Sequence, residues 1–271
     1  MDYSKYAEAH LDVKIRERVA VLTMNRPEKR NAISGDLHHA FETVFYDLST
    51  DPDVGAVILT GAGTAFCAGG DFSPGPKKPF DRDTGTGSIL RGPKYLVQGF
   101  LNCEPPLIAV VNGPAAGLGA TLALLCDVIY MADTARIGDT HVNMGLVAGD
   151  GGAVIWPLLI GPHRAKEFLM SGDYLSGPQA AQMGLVNHCF PADKVMDEAF
   201  AYAKRLAHGP GPAIRWTKMA INRQIWSQVN TVLEMSLAVE SLATFTAESK
   251  EAIAAFQQKR KPDYTKLSAQ G

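Results

Sequence analysis

The 271-residue chain lacks a dominant sign of charge: 26 lysines and arginines stand against 28 aspartates and glutamates, for a formal net charge of −2. A balance of that kind supplies no field for nucleic acid or a membrane surface, so neither is expected as a partner. Cysteine is scarce. Cys67, Cys103, Cys126 and Cys189 are scattered without CxxC or metal-type spacing, which argues against a disulfide framework and predicts reduced thiols in a cytoplasmic setting. No metal site is expected. A long apolar run is missing too, because the stretch 113–126 is too short for a membrane span and is closed by Asp127. The opening Met1-Asp2-Tyr3-Ser4-Lys5 has neither the basic stretch nor the apolar core of a signal peptide. No GxxxxGK[ST], GxSxG or HExxH occurs, and Leu122 fills the third glycine position of a dinucleotide fingerprint begun by Gly117-Leu118-Gly119. Each absence removes one common enzyme class.

Glycine, by contrast, is placed with purpose. Phe66-Cys67-Ala68-Gly69-Gly70-Asp71 and Asn112-Gly113-Pro114-Ala115-Ala116-Gly117-Leu118-Gly119 each follow an apolar, β-branched run, at 54–60 and 107–111. A glycine turn at a strand end can approach a ligand closely, and a strand-to-helix turn leaves peptide N–H groups unpaired. Two such turns, brought together, could aim two donors at one oxygen, as in an oxyanion hole.

Around these turns the pattern is α/β. Residues 13–24 hold two short strands about Glu17-Arg18, and Ser34 caps a helix to about residue 49 with Leu37, Phe41, Val44, Phe45 and Leu48 on one face. Further strands are expected at 54–60, 107–111 and 128–132, with a helix at 117–126, in mainly parallel pairing. Residues 73–92, rich in Gly, Pro, Lys and Asp, predict a long loop, either a lid or a surface insertion. Helical patterns dominate from Gly151: 151–160, 163–170, 178–183, 192–206, 213–224 and a long region over 229–258.

Taken in order, Asn25-Arg26-Pro27 with Asn31-Ala32, the two glycine turns, Gly145-Leu146 with Gly151-Gly152, Gly184-Leu185-Val186, and Ala255-Phe256 with Lys259-Arg260-Lys261-Pro262 resemble the signatures of the crotonase (enoyl-CoA hydratase/isomerase) superfamily. The resemblance covers nearly the whole chain. It implies a spiral of ββα units over 1–195 and a helical C-terminal region over 196–271 that assembles trimers or dimers of trimers. It also implies an acyl-CoA substrate, with coenzyme A entering only as part of that substrate and no other cofactor tightly bound. Carried over, the oxyanion donors are the amides of Gly70 and Leu118, flanked by Asp71 and Gly117. The nucleotide would lie around Ala32 and Ala68, with Lys29 and Arg30 as phosphate partners. Phe256 and Lys259 match positions that in the family reach a neighbouring subunit's adenine end.

The chain departs from the family's hydratases at both glutamates, whose positions hold Thr121 and His141. Asp150, just before Gly151-Gly152, resembles the acid of the family's isomerases, and a single carboxylate there could shuttle a proton between two carbons. Its alternative role is capping the next helix, which would lower its pKa. His141 is an auxiliary acid, base or water holder, with Asp139 two residues away to orient it. His38 and His39 read as structural or exposed, and Cys67 as a small buried side chain. The leading expectation is enoyl-CoA isomerase or hydratase chemistry through a stabilised enolate. The alternatives are C–C hydrolysis of a β-diketone or β-keto thioester by a His/Asp pair, and a non-catalytic acyl-CoA-binding protein.

Overall fold

In the computed structural model, residues 1–73, 91–265 and 267 are described. The loop expected over 73–92 therefore lies, apart from residues 73, 91 and 92, outside the described residues. The chain opens with a short helix α1 (Ser4–Ala7) and the hairpin strands β1 (Leu11–Arg16) and β2 (Val19–Met24). A 3-10 turn, Pro27–Lys29, leads to α2 (Gly35–Thr50), whose Ser34 cap accepts from the Leu37 amide at 3.3 Å. Then come β3 (Ala56–Gly61), α3 (Arg91–Asn102), β4 (Leu107–Val111), β5 (Ala115–Ala116), α4 (Leu118–Leu124), β6 (Val128–Ala132) and β7 (Arg136–Gly138). A 3-10 turn at His141–Met144 precedes α5 (Gly152–Ile160), α6 (Pro162–Ser171), β8 (Leu175–Ser176), α7 (Gly177–Met183) and β9 (His188–Phe190). Four helices close the chain: α8 (Val195–Ala207), α9 (Gly211–Gln228), α10 (Glu234–Ala243) and α11 (Ala247–Gln257), with a π-helical turn at Val229–Leu233.

The main sheet runs β1-β2-β3-β4-β6-β9; β1 is antiparallel to β2 and every other neighbour pair is parallel. All residues of β3 and β4 are buried, which is why both read as unbroken apolar runs rather than alternating ones. On α2, the five apolar residues expected on one face are all buried, and Phe41 and Phe45 pack on Phe100 of α3 at 5.8 and 4.4 Å. A second sheet, β5-β7-β8, stands beside the main one and carries the second glycine turn.

The boundary expected at 195/196 falls at the start of α8, and α8 lies on β2, β3, β4 and β6. The helices that leave the sheet begin with α9. Buried Lys218 ties α9 down, pairing with Asp127 at 2.7 Å and donating to the Pro105 carbonyl at 2.9 Å. Asn222, one turn on, donates to the Leu101 carbonyl at 2.9 Å. On α10, Ser236 donates to the Gly149 carbonyl at 2.8 Å, pinning that helix beside the segment that carries Asp150. Among the described residues no helix is long and apolar enough to cross a membrane.

Candidate active site

The two glycine turns interlock. Cys67 bridges Ala115, its amide donating to the Pro114 carbonyl at 3.1 Å and its carbonyl accepting from Ala116 at 2.9 Å. Gly119 packs on Cys67 so closely that a Cβ there would meet the Cys67 Cβ at 2.7 Å. Gly69, at φ +89°, passes the Ala116 carbonyl, and the place a Cβ would take lies 3.8 Å from the Leu118 amide nitrogen. Gly70 bridges Ile33 in parallel: Ile33 donates to the Gly69 carbonyl and accepts from Asp71, which turns Gly70's own N–H away from Ile33. Leu118 opens α4, where the first N–H groups have no partner within the helix. Among the described residues neither amide donates a hydrogen bond. Both expected donors thus belong to one packed unit.

The Gly117 amide donates to the Gly138 carbonyl at 3.0 Å, joining the second turn to the end of β7. The next residues carry the titrating groups. His141 Nδ1 lies 2.7 Å from Asp139 Oδ1, and His141 Nε2 lies 3.1 Å from Asp150 Oδ2. Thr121 completes the line, donating from Oγ1 to Asp150 Oδ1 at 3.1 Å. Asp139 and Thr121 are fully buried, and His141 and Asp150 nearly so. The imidazole Cε1 stands 3.6 Å from the position of a Cβ on Gly117, against the turn that presents Leu118. Asp139 Oδ2 has no hydrogen-bond partner among the described residues and lies against Gly152, where the positive end of α5 favours its charge.

Charge within this line is shared between its members. Burial alone would lower the His141 pKa, but Asp150 and Asp139 raise it well above 6.5, which favours the imidazolium over the neutral ring. Burial pushes the Asp150 carboxyl up; the His141 charge and the Thr121 hydroxyl outweigh that and leave it below 3.8. A one-carboxylate shuttle works best with a raised pKa; the direction at Asp150 is the opposite, and its two oxygens meet Thr121 and His141. Cys67 is wholly buried with its thiol pushed up to about 12 by desolvation, in line with a packing role.

Other expected site residues gather at a second place, beside the first turn. Lys29 Nζ lies 3.3 Å from Ser73 Oγ, and the Arg30 carbonyl accepts from the Ala68 amide at 3.0 Å. Arg26 pairs with Asp71 at 3.1 Å and donates to the Ala32 carbonyl at 2.7 Å, so Asp71 is taken up by an ion pair. Phe256 stands edge-on to Phe72 of the same chain at 6.4 Å, and Lys259 follows at the exposed end of α11. Asn31, at φ +57° and fully buried, holds the corner by accepting from Arg26 and donating to the Ala62 and Ala65 carbonyls.

Two neighbours of Asp150 escaped the sequence reading. His38, expected to be structural or exposed, is 2% exposed, lies 3.0 Å from Glu42, and acts on Asp150 electrostatically. Glu240 of α10 acts on Asp150, Asp139 and His141 across 90 residues of chain. A polar residue on a buried helical face was the signal available for His38; Glu240 left none, because only the fold brings α10 there.

The chain matches the sequence profile of the enoyl-CoA hydratase/isomerase family over residues 14–267. It is 33% identical over 250 residues to a probable enoyl-CoA hydratase of Mycobacterium tuberculosis, covering 92% of this chain and 95% of the relative. It is 32% identical over 259 residues to the 2,3-dehydroadipyl-CoA hydratase of Escherichia coli, covering 94% and 98%. The crystal structure of an enoyl-CoA hydratase/isomerase from Pseudoalteromonas atlantica superposes with a TM-score of 0.83 at 30% identity, covering 94% of this chain and 100% of that one.

Proposed function

The chain is an enzyme of the enoyl-CoA hydratase/isomerase family, and we propose that it uses water on an acyl-CoA thioester through an Asp139–His141–Asp150 relay, with His141 standing where the hydratases keep one of their two glutamates. The observation that carries this is the buried line Asp139–His141–Asp150 lying against the Gly117–Leu118 turn. In this reading the amides of Gly70 and Leu118 polarise the thioester carbonyl and stabilise the enolate. Losing one such donor raises a barrier by about 3–4 kcal/mol. Asp139 fixes the imidazole so that Nε2 faces Asp150, and Asp150, each of whose oxygens keeps a free lone pair, takes the proton of water. The imidazolium beside it holds the carboxylate anionic until the substrate displaces solvent.

Lys29, Arg30, Ala68 and Phe256 form the matching place for the coenzyme A end, since cations and a half-open aromatic pair suit phosphates and an adenine ring. Exposed Trp216, Ile221, Leu242 and Phe245 on and next to α9 and α10 support assembly as the trimer that the resemblance implies.

One feature favours a second reaction on the same scaffold. The imidazolium charge against the Gly117–Leu118 turn favours negative charge there, and a β-keto thioester, with its second carbonyl, would spread its enolate charge over two oxygens where a 2-enoyl thioester would not. The test is incubation with 2-enoyl-, 3-enoyl- and 3-ketoacyl-CoA, followed by mass spectrometry. Gain of one water by the 2-enoyl thioester, or C–C cleavage of the 3-keto thioester with uptake of water, supports the reading. D150N should lower either rate by about 100-fold or more. Double-bond migration without water, or unimpaired turnover in D150N, would overturn it.

A further inference from the structure

The relay accounts for the proton taken from water, but both N–H groups of its imidazolium are held by Asp139 and Asp150, so the proton that the enolate carbon needs must come from another group. Glu240 is the remaining acid at this site. It projects from α10, and its Oε2 lies 2.5 Å from where a Cβ on Gly149 would stand. Gly149 directly precedes Asp150, so helix and acid segment touch backbone to side chain. The Ser236 hydroxyl, one turn earlier on α10, holds the Gly149 carbonyl at 2.8 Å and fixes that approach. Glu240 is half-buried, and among the described residues its carboxyl makes neither a hydrogen bond nor an ion pair. Its stem packs on Gly149, and that contact carries the unpartnered carboxyl to the edge of the buried charge cluster.

We propose that Glu240 is the proton donor of this site, handing its carboxyl proton to the α-carbon of the thioester enolate while Asp150 takes the proton of water. The inference rests on the water-using reading above. For a 2-enoyl thioester the balance is simple: the water oxygen bonds to the β-carbon, one water proton passes to Asp150, and the electron pair of the double bond takes the proton of Glu240. The product carries one added water. The enzyme is left with Asp150 protonated and Glu240 ionised, and one proton moving from the first to the second restores it.

The electrostatics of the cluster agree with this division of labour. Glu240 feels the charges of Asp150, Asp139 and His141; burial and the two aspartates push its carboxyl up to about 8, with the His141 charge opposing them. A group of that strength holds its proton at neutral pH and can still release it, which is what general acid catalysis asks for.

Two measurements test the proposal. The first needs no substrate: infrared difference spectra of wild type against E240Q should show a protonated carboxyl at neutral pH that fades around pH 8 and is missing from the variant. A Glu240 already ionised at neutral pH would overturn the proposal. The second is exchange of the α-protons of butyryl-CoA in heavy water, followed by NMR. Wild type and D150N should exchange, and E240Q should be slower by about 100-fold or more while still binding the thioester. Exchange that survives E240Q, that D150N removes equally, or that wild type lacks, would refute the role. If the amide variant does not fold, E240M keeps the side-chain volume and serves instead. An enzyme that exchanges α-protons through Glu240 yet neither hydrates nor cleaves any thioester would sink the water-using reading alone.

Discussion

Replacing His141 by alanine should destabilise the protein in a pH-dependent way whose direction is set by the carboxylates left behind. In the wild type the imidazolium sits between Asp139, fully buried, and Asp150, 7% exposed. Without it two anions share one buried pocket, and Asp139 Oδ2 already has no partner among the described residues. Removing one member of a buried ionic cluster costs about 3–5 kcal/mol. With an unfolding entropy of about 2.1 cal/mol/K per residue, a chain of this length shifts its Tm by about 2 °C per kcal/mol, so H141A should melt about 5–10 °C lower near neutral pH. The sign follows from linkage. The folded pKa of His141 is raised, so its stabilisation is complete below 6.5 and is lost as pH rises through the folded value. That of Asp150 is lowered, so its stabilisation is present above 3.8 and lost as pH falls through the folded value. In H141A Asp150 loses the largest influence that lowers its pKa while burial still raises it, so its carboxyl protonates more readily and the variant's deficit shrinks as pH falls toward 3.8. Thermal unfolding of H141A, D139N/H141A and wild type at mildly acidic and neutral pH measures this. A deficit that is the same at both pH values, or that D139N does nothing to relieve, would show that the cluster's charge is not what holds it.

Three further outcomes follow from named contacts. Gly119→Ala drives a methyl into the Cys67 carbonyl; overpacking of this kind costs about 1–3 kcal/mol in urea unfolding and should depress kcat more than KM by parting the two turns. Lys218→Met removes the ion pair to half-exposed Asp127 and the donor of the Pro105 carbonyl and should cost about 1–3 kcal/mol, part of it recovered in D127N/K218M; equal stability of single and double variants would count against an ionic anchor. Asn31→Ala strips the Ala62 and Ala65 carbonyls of their donor in a buried corner and should cost about 2–4 kcal/mol while raising the KM for the thioester, read from steady-state kinetics.

The elements legible in the sequence are those long enough to show a period or an unbroken apolar run. Leu107–Val111 and Val128–Ala132 appear as expected, and α2 buries its expected face. The strands β5, β7 and β8 have two or three residues each, too few for any periodicity, though they carry the second turn and aim Asp139. The glycine turns, Thr121, His141 and Asp150 could be read from residue type and order. Their chemistry could not, because it depends on a distance: an aspartate that reads as a lone base becomes, with an imidazolium 3.1 Å away, one pole of a relay. Glu240 lies beyond local reading for the same reason, whereas His38 left the sign of a polar residue on a buried helical face.

The docking of α10 and α11 has a bearing on how the protein is made. Ser236 reaches back 87 residues to Gly149, and Gln257 reaches back 185 residues to Phe72. During synthesis the parallel sheet and the relay segment leave the ribosome well before the helices that wall them in. Until residue 240 has emerged, the Gly149 carbonyl has no Ser236 hydroxyl to accept from and Glu240 does not yet stand beside the segment that carries Asp150. The surroundings of the charge cluster are therefore completed only by the last helices of the chain to be made.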